Sequence, residues 1–301
     1  MTSPTNMPRL WLRSLDFAGP AVPQTASFYE ELWKLEVVAR GNDGVHLRGS
    51  GSEPYLVGLH DGPRHGLVRI SFGVADRAAL QAAHAALRAA GARVLGEIAQ
   101  ITTPGGGIGF ELLDSDRRVL RLCTEVAAVQ PTGAEDAPRK ISHVVLNSTD
   151  LDGALKFYTE TLGLKVSDWS ENQMVFLRCG SDHHSIAFNR ADRNSINHVA
   201  FELGTIDAFM RGIGRLKNGG YPVNWGPGRH GPGNNPFAYF IGPSGFVVEY
   251  TTSIQQIDEA THQPKVWKRT PEDSDRWMTA GPPSRQMRTA MAGDPDPGWP
   301  E

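Results

Sequence analysis

Residues 157–164, FYTETLGL, resemble residues 28–35, FYEELWKL, which lie 129 positions earlier in the chain. At the same offset, residues 67–72, LVRISF, correspond to residues 196–201, INHVAF. Similar segments at one fixed offset indicate two copies of a structural unit. The sequence therefore predicts two halves of similar fold.

Each half shows the same predicted order of elements: a strand, a helix that ends near the FY motif, several short strands, a second helix and a closing pair of strands. The second helix is predicted over 77–90 in the first half, where apolar residues recur at helical spacing and Gly91 follows. Its counterpart is predicted over 206–216 and is terminated by Gly219-Gly220. Each half thus contains two strand–helix–strand units.

Composition along the chain indicates where these units end. We predict an N-terminal domain over 1–128, a linker over 129–139 that is rich in Pro, Ala and acidic residues, and a C-terminal domain over 140–253. The remaining segment, 254–301, has scattered aromatic residues without a clear period. Such a segment either wraps over the second domain or is partly disordered.

The overall charge argues against polyanionic partners. The 301 residues include 30 Lys and Arg against 33 Asp and Glu, and no basic run is present, so neither nucleic acid nor an anionic membrane is expected as a partner. Cys123 and Cys179 lie in apolar stretches and are read as core thiols. No signal peptide or long apolar stretch is visible, so we expect a cytoplasmic protein with small-molecule partners.

Three potential metal ligands lie on separate predicted strands. His143, His198 and Glu249 each occur in an apolar, strand-like context. A single histidine in such a strand is usually a structural residue, but two histidines and a carboxylate can hold divalent iron and leave one face open. At the repeat offset the first half carries residues that do not replace these ligands: Ser14, Arg69 and, with one residue of slippage, Arg121. A purely structural role would predict a packing counterpart in the first half.

The second half also carries the pattern His230, Tyr239, Pro243-Ser244-Gly245 and Glu249. Together with the FYxxxLGL helix and the paired units, this pattern resembles the type I extradiol ring-cleavage dioxygenases of the vicinal oxygen chelate superfamily, which also includes glyoxalases and bleomycin-resistance proteins. The resemblance covers residues 8 to about 253. It implies an α+β fold of two domains, each of two βαβββ modules that form an incomplete barrel, followed by a C-terminal extension.

The resemblance also implies an activity. Enzymes of this kind use Fe(II), or Mn(II) in some members, and O2 to open a catechol-type ring beside its two hydroxyls during the degradation of aromatic compounds. The product is of the 2-hydroxymuconic semialdehyde type. A homo-oligomer, either a dimer or a tetramer, is expected on the same basis.

Roles for individual residues follow from the resemblance. His143, His198 and Glu249 resemble the metal ligands. Residues 182–187, DHHSIA, resemble the family's HHxxA segment, in which the second histidine, here His184, is the acid/base group. His230 and Tyr239 resemble a pair that hydrogen-bonds the substrate.

Two other functions stay open. One is a glyoxalase-like isomerase, or a thiol transferase, of the same superfamily, in which ligands usually come from both halves of a paired site or from both subunits of a dimer. The other is a binding protein that sequesters an aromatic ligand without metal. Neither function requires His184, His230 and Tyr239 together.

Overall fold

The computed structural model describes residues 7–41 and 44–296. The first six residues of the predicted N-terminal domain and the last five of the predicted tail lie outside these ranges, as do residues 42 and 43. Among the described residues, no helix has the length and apolar character needed to cross a bilayer.

The first half of the chain forms one mixed sheet of eight strands in the order β2-β3-β4-β1-β5-β8-β7-β6. The strands are β1 (Trp11–Gly19), β2 (Glu36–Gly41), β3 (Gly44–Arg48), β4 (Val57–Asp61), β5 (Gly66–Gly73), β6 (Ala99–Gln100), β7 (Ile108–Leu113) and β8 (Val119–Thr124).

The second half forms a sheet of nine strands in the order β14-β15-β16-β13-β9-β12-β11-β10-β17. The strands are β9 (Lys140–Ser148), β10 (Lys165–Ser170), β11 (Met174–Arg178), β12 (Ile186–Arg190), β13 (Ser195–Glu202), β14 (Trp225–Arg229), β15 (Pro236–Ile241), β16 (Val247–Thr251) and β17 (Lys265–Trp267). The last strand comes from the predicted tail and extends the sheet beside β10.

The FY motifs form the same structure in both halves. Helices α1 (Val22–Ser27) and α3 (Leu151–Lys156) each continue into a π-helical turn, at 28–32 and 157–161. Lys34 and Gly163, which correspond at the repeat offset, both have left-handed backbone with φ of 61° and 75°. Only glycine adopts this conformation at little cost, so the rest of the turn must stabilise the left-handed backbone at Lys34.

The second helix of each half lies close to its prediction. Helix α2 (Arg77–Ala89) ends one residue before the predicted limit, and α4 (Ile206–Asn218) runs two residues beyond it, up to Gly219. The side chains of Asp76 and Thr205 cap their N-termini. Two short helices follow in the tail, α5 (Pro271–Ser274) and α6 (Arg285–Ala292).

The described residues confirm the expected α+β fold with two open sheets rather than one closed barrel. Large apolar side chains from both halves meet between the sheets. Trp33, fully buried, stacks on Tyr250 with ring centroids 3.9 Å apart. Because Tyr250 lies on β16 next to Glu249, the first half supports a strand of the candidate metal centre. The division into domains over 1–128 and 140–253 stays a prediction.

Candidate metal centre and substrate cavity

Three neighbouring strands bring the predicted metal ligands together. His143 on β9 lies opposite Ala200 on β13, and Ala200 in turn lies opposite Glu249 on β16. The Nε2 atoms of His143 and His198 are each 3.2 Å from Glu249 Oε2. All three side chains are buried, and their ligand atoms lie within 4.8 Å of one another.

The charges and lone pairs at this point favour a cation. Burial alone raises the pKa of Glu249, but His143 and His198 lower the pKa below its usual range, so the carboxylate is ionised. Burial lowers the pKa of His198 and favours its neutral form. The His198 Nε2 atom finds no hydrogen-bond partner among the described residues.

The spacing of these atoms also fits a metal. Two ligand atoms at right angles, each about 2.1 Å from a metal, lie about 3 Å apart. Both histidine nitrogens are at nearly this distance from the Glu249 oxygen. The three residues therefore suit a divalent cation with further coordination positions open.

The equivalent position in the first half holds arginines. Ser14 lies opposite Ser71, and Ser71 lies opposite Arg121, which reproduces the register of His143, Ala200 and Glu249. Arg69 and Arg121 both donate to Glu111 Oε1, at 3.1 and 2.8 Å. In the first half, guanidinium groups thus provide the positive charge that a metal ion would provide in the second half.

A second group of possible ligands, which the sequence did not suggest, lies in the first half. Asp16, His46 and His60 have ligand atoms within 4.8 Å of one another. However, Asp16 Oδ1 already lies 3.0 Å from His60 Nε2 and 3.1 Å from the Arg69 guanidinium. A cation here would meet that guanidinium, so charge disfavours a metal.

A cavity of about 400 Å³ opens beside His143 and His198. His184 and Tyr239 line it, together with apolar side chains such as Met174 and Phe176. The His184 ring is buried, and its centroid is 4.2 Å from that of His143. The predicted acid/base residue therefore lies beside the candidate metal centre.

A chain of hydrogen bonds reaches His184 from behind. Asp168 Oδ2 accepts from His183 Nε2 at 3.0 Å, and from Trp267 Nε1 at 2.6 Å. The His183 and His184 Nδ1 atoms are 3.0 Å apart. Although burial raises the pKa of Asp168, hydrogen bonds from His183 and Trp267 lower it overall, so the carboxylate only accepts. Neutral His183 then accepts at Nδ1 from His184 Nδ1–H, which leaves the His184 Nε2 lone pair available.

His230 and Tyr239 form a second hydrogen-bonded pair at the cavity. His230 Nδ1 is 3.2 Å from the Ser274 carbonyl oxygen, and Nε2 is 2.9 Å from the Tyr239 hydroxyl. A carbonyl oxygen only accepts, so Nδ1 carries the proton and the Tyr239 hydroxyl donates to Nε2. Burial lowers the pKa of His230 to about 4 and raises that of Tyr239 well above its ordinary value. Both groups are therefore neutral at neutral pH.

The C-terminal tail covers this cavity. The sequence left open whether residues 254–301 wrap over the second domain or are partly disordered, and the described part, up to Asp296, wraps over it. Trp267 at the end of β17 and Arg269 just beyond it line one side, and Arg288 and Met291 of α6 line another. The tail therefore shapes the space available to a ligand.

Sequence reasoning missed Asp168 and left the contribution of the tail open. The sequence signal for Asp168 was an acidic residue inside the stretch KVSDWS, which forms β10. Its side chain is buried in the structure. The tail gave no comparable signal, because only Met287 of α6 is fully buried.

Comparison with known proteins identifies the relatives of this chain. Residues 140–250 match the family described as the Glyoxalase/Bleomycin resistance protein/Dioxygenase superfamily. Over 92% of both chains, the protein is 36% identical to a structure described as the Mn(II)-bound glyoxalase from Novosphingobium aromaticivorans, with a TM-score of 0.87.

One curated relative is named as a metapyrocatechase and another as a dioxygenase. Metapyrocatechase 2 of Cupriavidus necator is 35% identical over 122 residues, which cover 40% of this chain and only 38% of that protein. Biphenyl-2,3-diol 1,2-dioxygenase of Paraburkholderia xenovorans (strain LB400) is 28% identical over 83% of this chain and 90% of its own length.

Proposed function

The chain belongs to the glyoxalase/bleomycin resistance protein/dioxygenase superfamily, and from this membership and the site geometry we propose that it is an extradiol dioxygenase. It would open a catechol-type ring beside the two hydroxyls with Fe(II) and O2, and release a 2-hydroxymuconic semialdehyde-type product. The observation that carries the proposal is that His143 and His198, grouped with Glu249 as a ligand set, line one cavity together with His184 and Tyr239.

In this proposal His143, His198 and Glu249 hold the metal. When bound, the metal supplies a centre at which both catechol oxygens and O2 are brought together, and it favours loss of the hydroxyl protons. The protein must then bind the ring, exclude water and move protons. The cavity, partly covered by the tail, would serve the first two purposes.

His184 is assigned the proton transfers. Burial lowers its pKa well below the ordinary value, so the imidazole is neutral at neutral pH. Its Nε2 lone pair can take a proton from a catechol hydroxyl and return it later in the reaction. Asp168 and His183 would keep that lone pair on the cavity side.

Tyr239 and His230 are assigned substrate orientation. Because the Tyr239 hydroxyl donates its proton to His230 Nε2, its oxygen can accept a hydrogen bond from a substrate hydroxyl. This arrangement would fix one edge of the ring relative to the ligand set.

The test is anaerobic loading with Fe(II), followed by addition of catechol, 3- or 4-substituted catechols, or 2,3-dihydroxybiphenyl, and then air. We expect a yellow product and the uptake of one molecule of O2 for each molecule of product. His143→Gln should abolish both, whereas the matched control His84→Gln, at the buried histidine on α2 that bonds Gly96 O, should not. Absence of colour and of O2 uptake with every catechol would refute the proposal.

A metal-dependent isomerase is the second candidate, favoured by the 36% identity to a protein described as a glyoxalase. An isomerase needs no oxidant. Turnover of a hemithioacetal by the Mn(II)-loaded protein without O2, combined with no uptake of O2 with catechols, would support it instead.

Fe(II) is proposed over Mn(II) as the metal, and metal analysis of the purified protein tests this choice. A homo-oligomer, either a dimer or a tetramer, and a cytoplasmic location stay predictions as well. Analytical ultracentrifugation and cell fractionation would check them.

A further inference from the structure

The metal ligand His198 is connected by side-chain amides to the C-terminal tail. His198 Nδ1 lies 2.8 Å from Asn197 Oδ1, and Asn197 Nδ2 lies 3.0 Å from Asn147 Oδ1. Asn147 Nδ2 lies 2.8 Å from the carbonyl oxygen of Met291 in α6. The chain thus runs from the candidate metal centre to the last turn of the tail helix.

The direction of every hydrogen bond in this chain is fixed at its far end. The Met291 carbonyl oxygen can only accept, so the Asn147 amide nitrogen must face it and the Asn147 oxygen must face Asn197. Asn197 then donates through Nδ2 and presents its oxygen to His198. That oxygen requires the His198 proton on Nδ1, which leaves the Nε2 lone pair pointing at Glu249.

A second chain leads to the same orientation. Gln173 Nε2 donates to the Arg190 carbonyl oxygen and to Asn189 Oδ1, at 2.6 and 2.9 Å. Asn189 Nδ2 in turn donates to Asn147 Oδ1 at 2.8 Å. The backbone carbonyl oxygens of Met291 and Arg190 thus independently fix the same orientation of the Asn147 amide.

The tail is suited to this contact because of where α6 ends. The last four carbonyl groups of a helix lack intrahelical donors, and the carbonyl oxygens of Met291 and Ala292 belong to this group. Ser195 Oγ donates to the Ala292 oxygen at 2.6 Å and accepts from Asn147 Nδ2 at 2.8 Å. The helix end thus receives donors from β9 and β13.

We propose that Asn197 and Asn147 are positioning residues, anchored by the C-terminal tail, that hold His198 in the Nδ1–H tautomer required for metal binding. This inference rests on the proposed metal centre. Partners of this kind fix the orientation of a histidine ligand, and their loss typically weakens metal binding about 10- to 100-fold.

The test uses two readouts. Calorimetric titration with Mn(II), which is stable in air, measures metal affinity. Long-range ¹H–¹⁵N spectra of the metal-free protein report which nitrogen of His198 carries the proton, and a His198→Gln variant assigns the signal. The variants are Asn197→Ala, Asn197→Asp, and the control Asn194→Ala, whose side chain bonds only Thr149 among the described contacts.

We expect Asn197→Ala to weaken Mn(II) binding about 10- to 100-fold and to give a mixture of tautomers. Asn197→Asp keeps an acceptor for Nδ1–H and should keep the tautomer and the affinity, although its second oxygen faces Asn147 Oδ1 and should lower the thermal midpoint. Asn194→Ala should leave affinity and tautomer unchanged. Circular dichroism checks that each variant folds.

Unchanged Mn(II) affinity and tautomer in Asn197→Ala would overturn the inference, as would equal losses of affinity in the Ala and Asp variants. Failure of the wild-type protein to bind Mn(II) or Fe(II) would instead refute the proposed metal centre. The tautomer measurement separates the two failures because it needs no metal.

Discussion

Replacement of Arg118 by methionine should destabilise the protein and release its tail. Arg118 is 4% exposed and lies between β7 and β8 of the first half. Its guanidinium is 2.7 Å from both Asp116 Oδ2 and Asp296 Oδ2, and 3.7 Å from Asp114 Oδ2. It also donates to the Asn147 carbonyl oxygen at 2.5 Å. One cation therefore joins the first half, β9 and the tail.

The magnitude follows from what remains after the substitution. Methionine fills much of the volume but leaves three buried carboxylates without their cation. Removal of one partner of a buried ion pair costs about 3–5 kcal/mol, because the remaining charge stays desolvated. With a urea slope of about 3 kcal/mol/M, the denaturation midpoint should fall by roughly 1–2 M.

The loss should also depend on pH. Burial raises the pKa of Asp114 to about 6 even with Arg118 present. A carboxyl group whose pKa is higher in the folded than in the unfolded state destabilises the fold at pH values above its folded pKa. This destabilisation disappears as pH falls toward the pKa of the unfolded state. The difference in free energy of unfolding between wild type and Arg118→Met should therefore shrink between pH 7 and pH 5.

Urea denaturation at both pH values, with limited proteolysis to follow the tail, measures these effects. Arg40→Met is the matched control, since Arg40 forms an exposed pair with Glu30 at 3.3 Å, and such a pair contributes about 0–1 kcal/mol. If Arg118→Met lost no more stability than Arg40→Met, the Arg118 cluster would not hold the tail.

Three further outcomes are expected. His184→Gln should leave Mn(II) binding intact but slow ring cleavage at least 100-fold, by loss of the proposed acid/base group, as measured by rates at saturating catechol; loss of metal would mean that the ligands are misassigned. Tyr239→Phe removes the donor to His230 and should lower kcat about 10- to 100-fold, so unchanged kinetics would count against its role. Hydrogen bonds from Arg178 lower the pKa of Glu259 to about 2. The contact of this tail carboxylate with Arg178 is therefore present above pH 4.5 and is lost as pH falls toward 2. Tryptophan fluorescence that stays constant over this range would contradict the prediction.

The repeat made much of the architecture predictable from sequence. The offset of 129 residues places His143 over Ser14 and His198 over Arg69, and the strand registers show the same equivalence. The single residue of slippage at Glu249 arises because the segment between β5 and β8 is one residue longer in the first half than its counterpart in the second. Periodicity also gave helices α2 and α4 within two residues.

Contacts that depend on the folded tail could not be predicted in this way. Asn147 and Met291 are 144 positions apart, and neither belongs to a periodic pattern that would relate them. Asp168 was missed for a related reason, because its partners lie in separate parts of the chain, His183 between β11 and β12 and Trp267 on β17. Polar contacts of this kind depend on side-chain geometry, which apolar periodicity does not encode.

The arginines in the first half have a consequence for protein engineering. Because the strand registers of the two halves match, the changes Ser14→His, Arg69→His and Arg121→Glu would place a copied ligand set on an equivalent backbone. The same changes would remove two positive charges beside Asp16 and Glu111. A divalent ion bound there would face three carboxylates, so a working second centre would also need Asp16 or Glu111 neutralised. Electrostatic balance, rather than backbone shape, is therefore the barrier between the two halves of this duplicated fold.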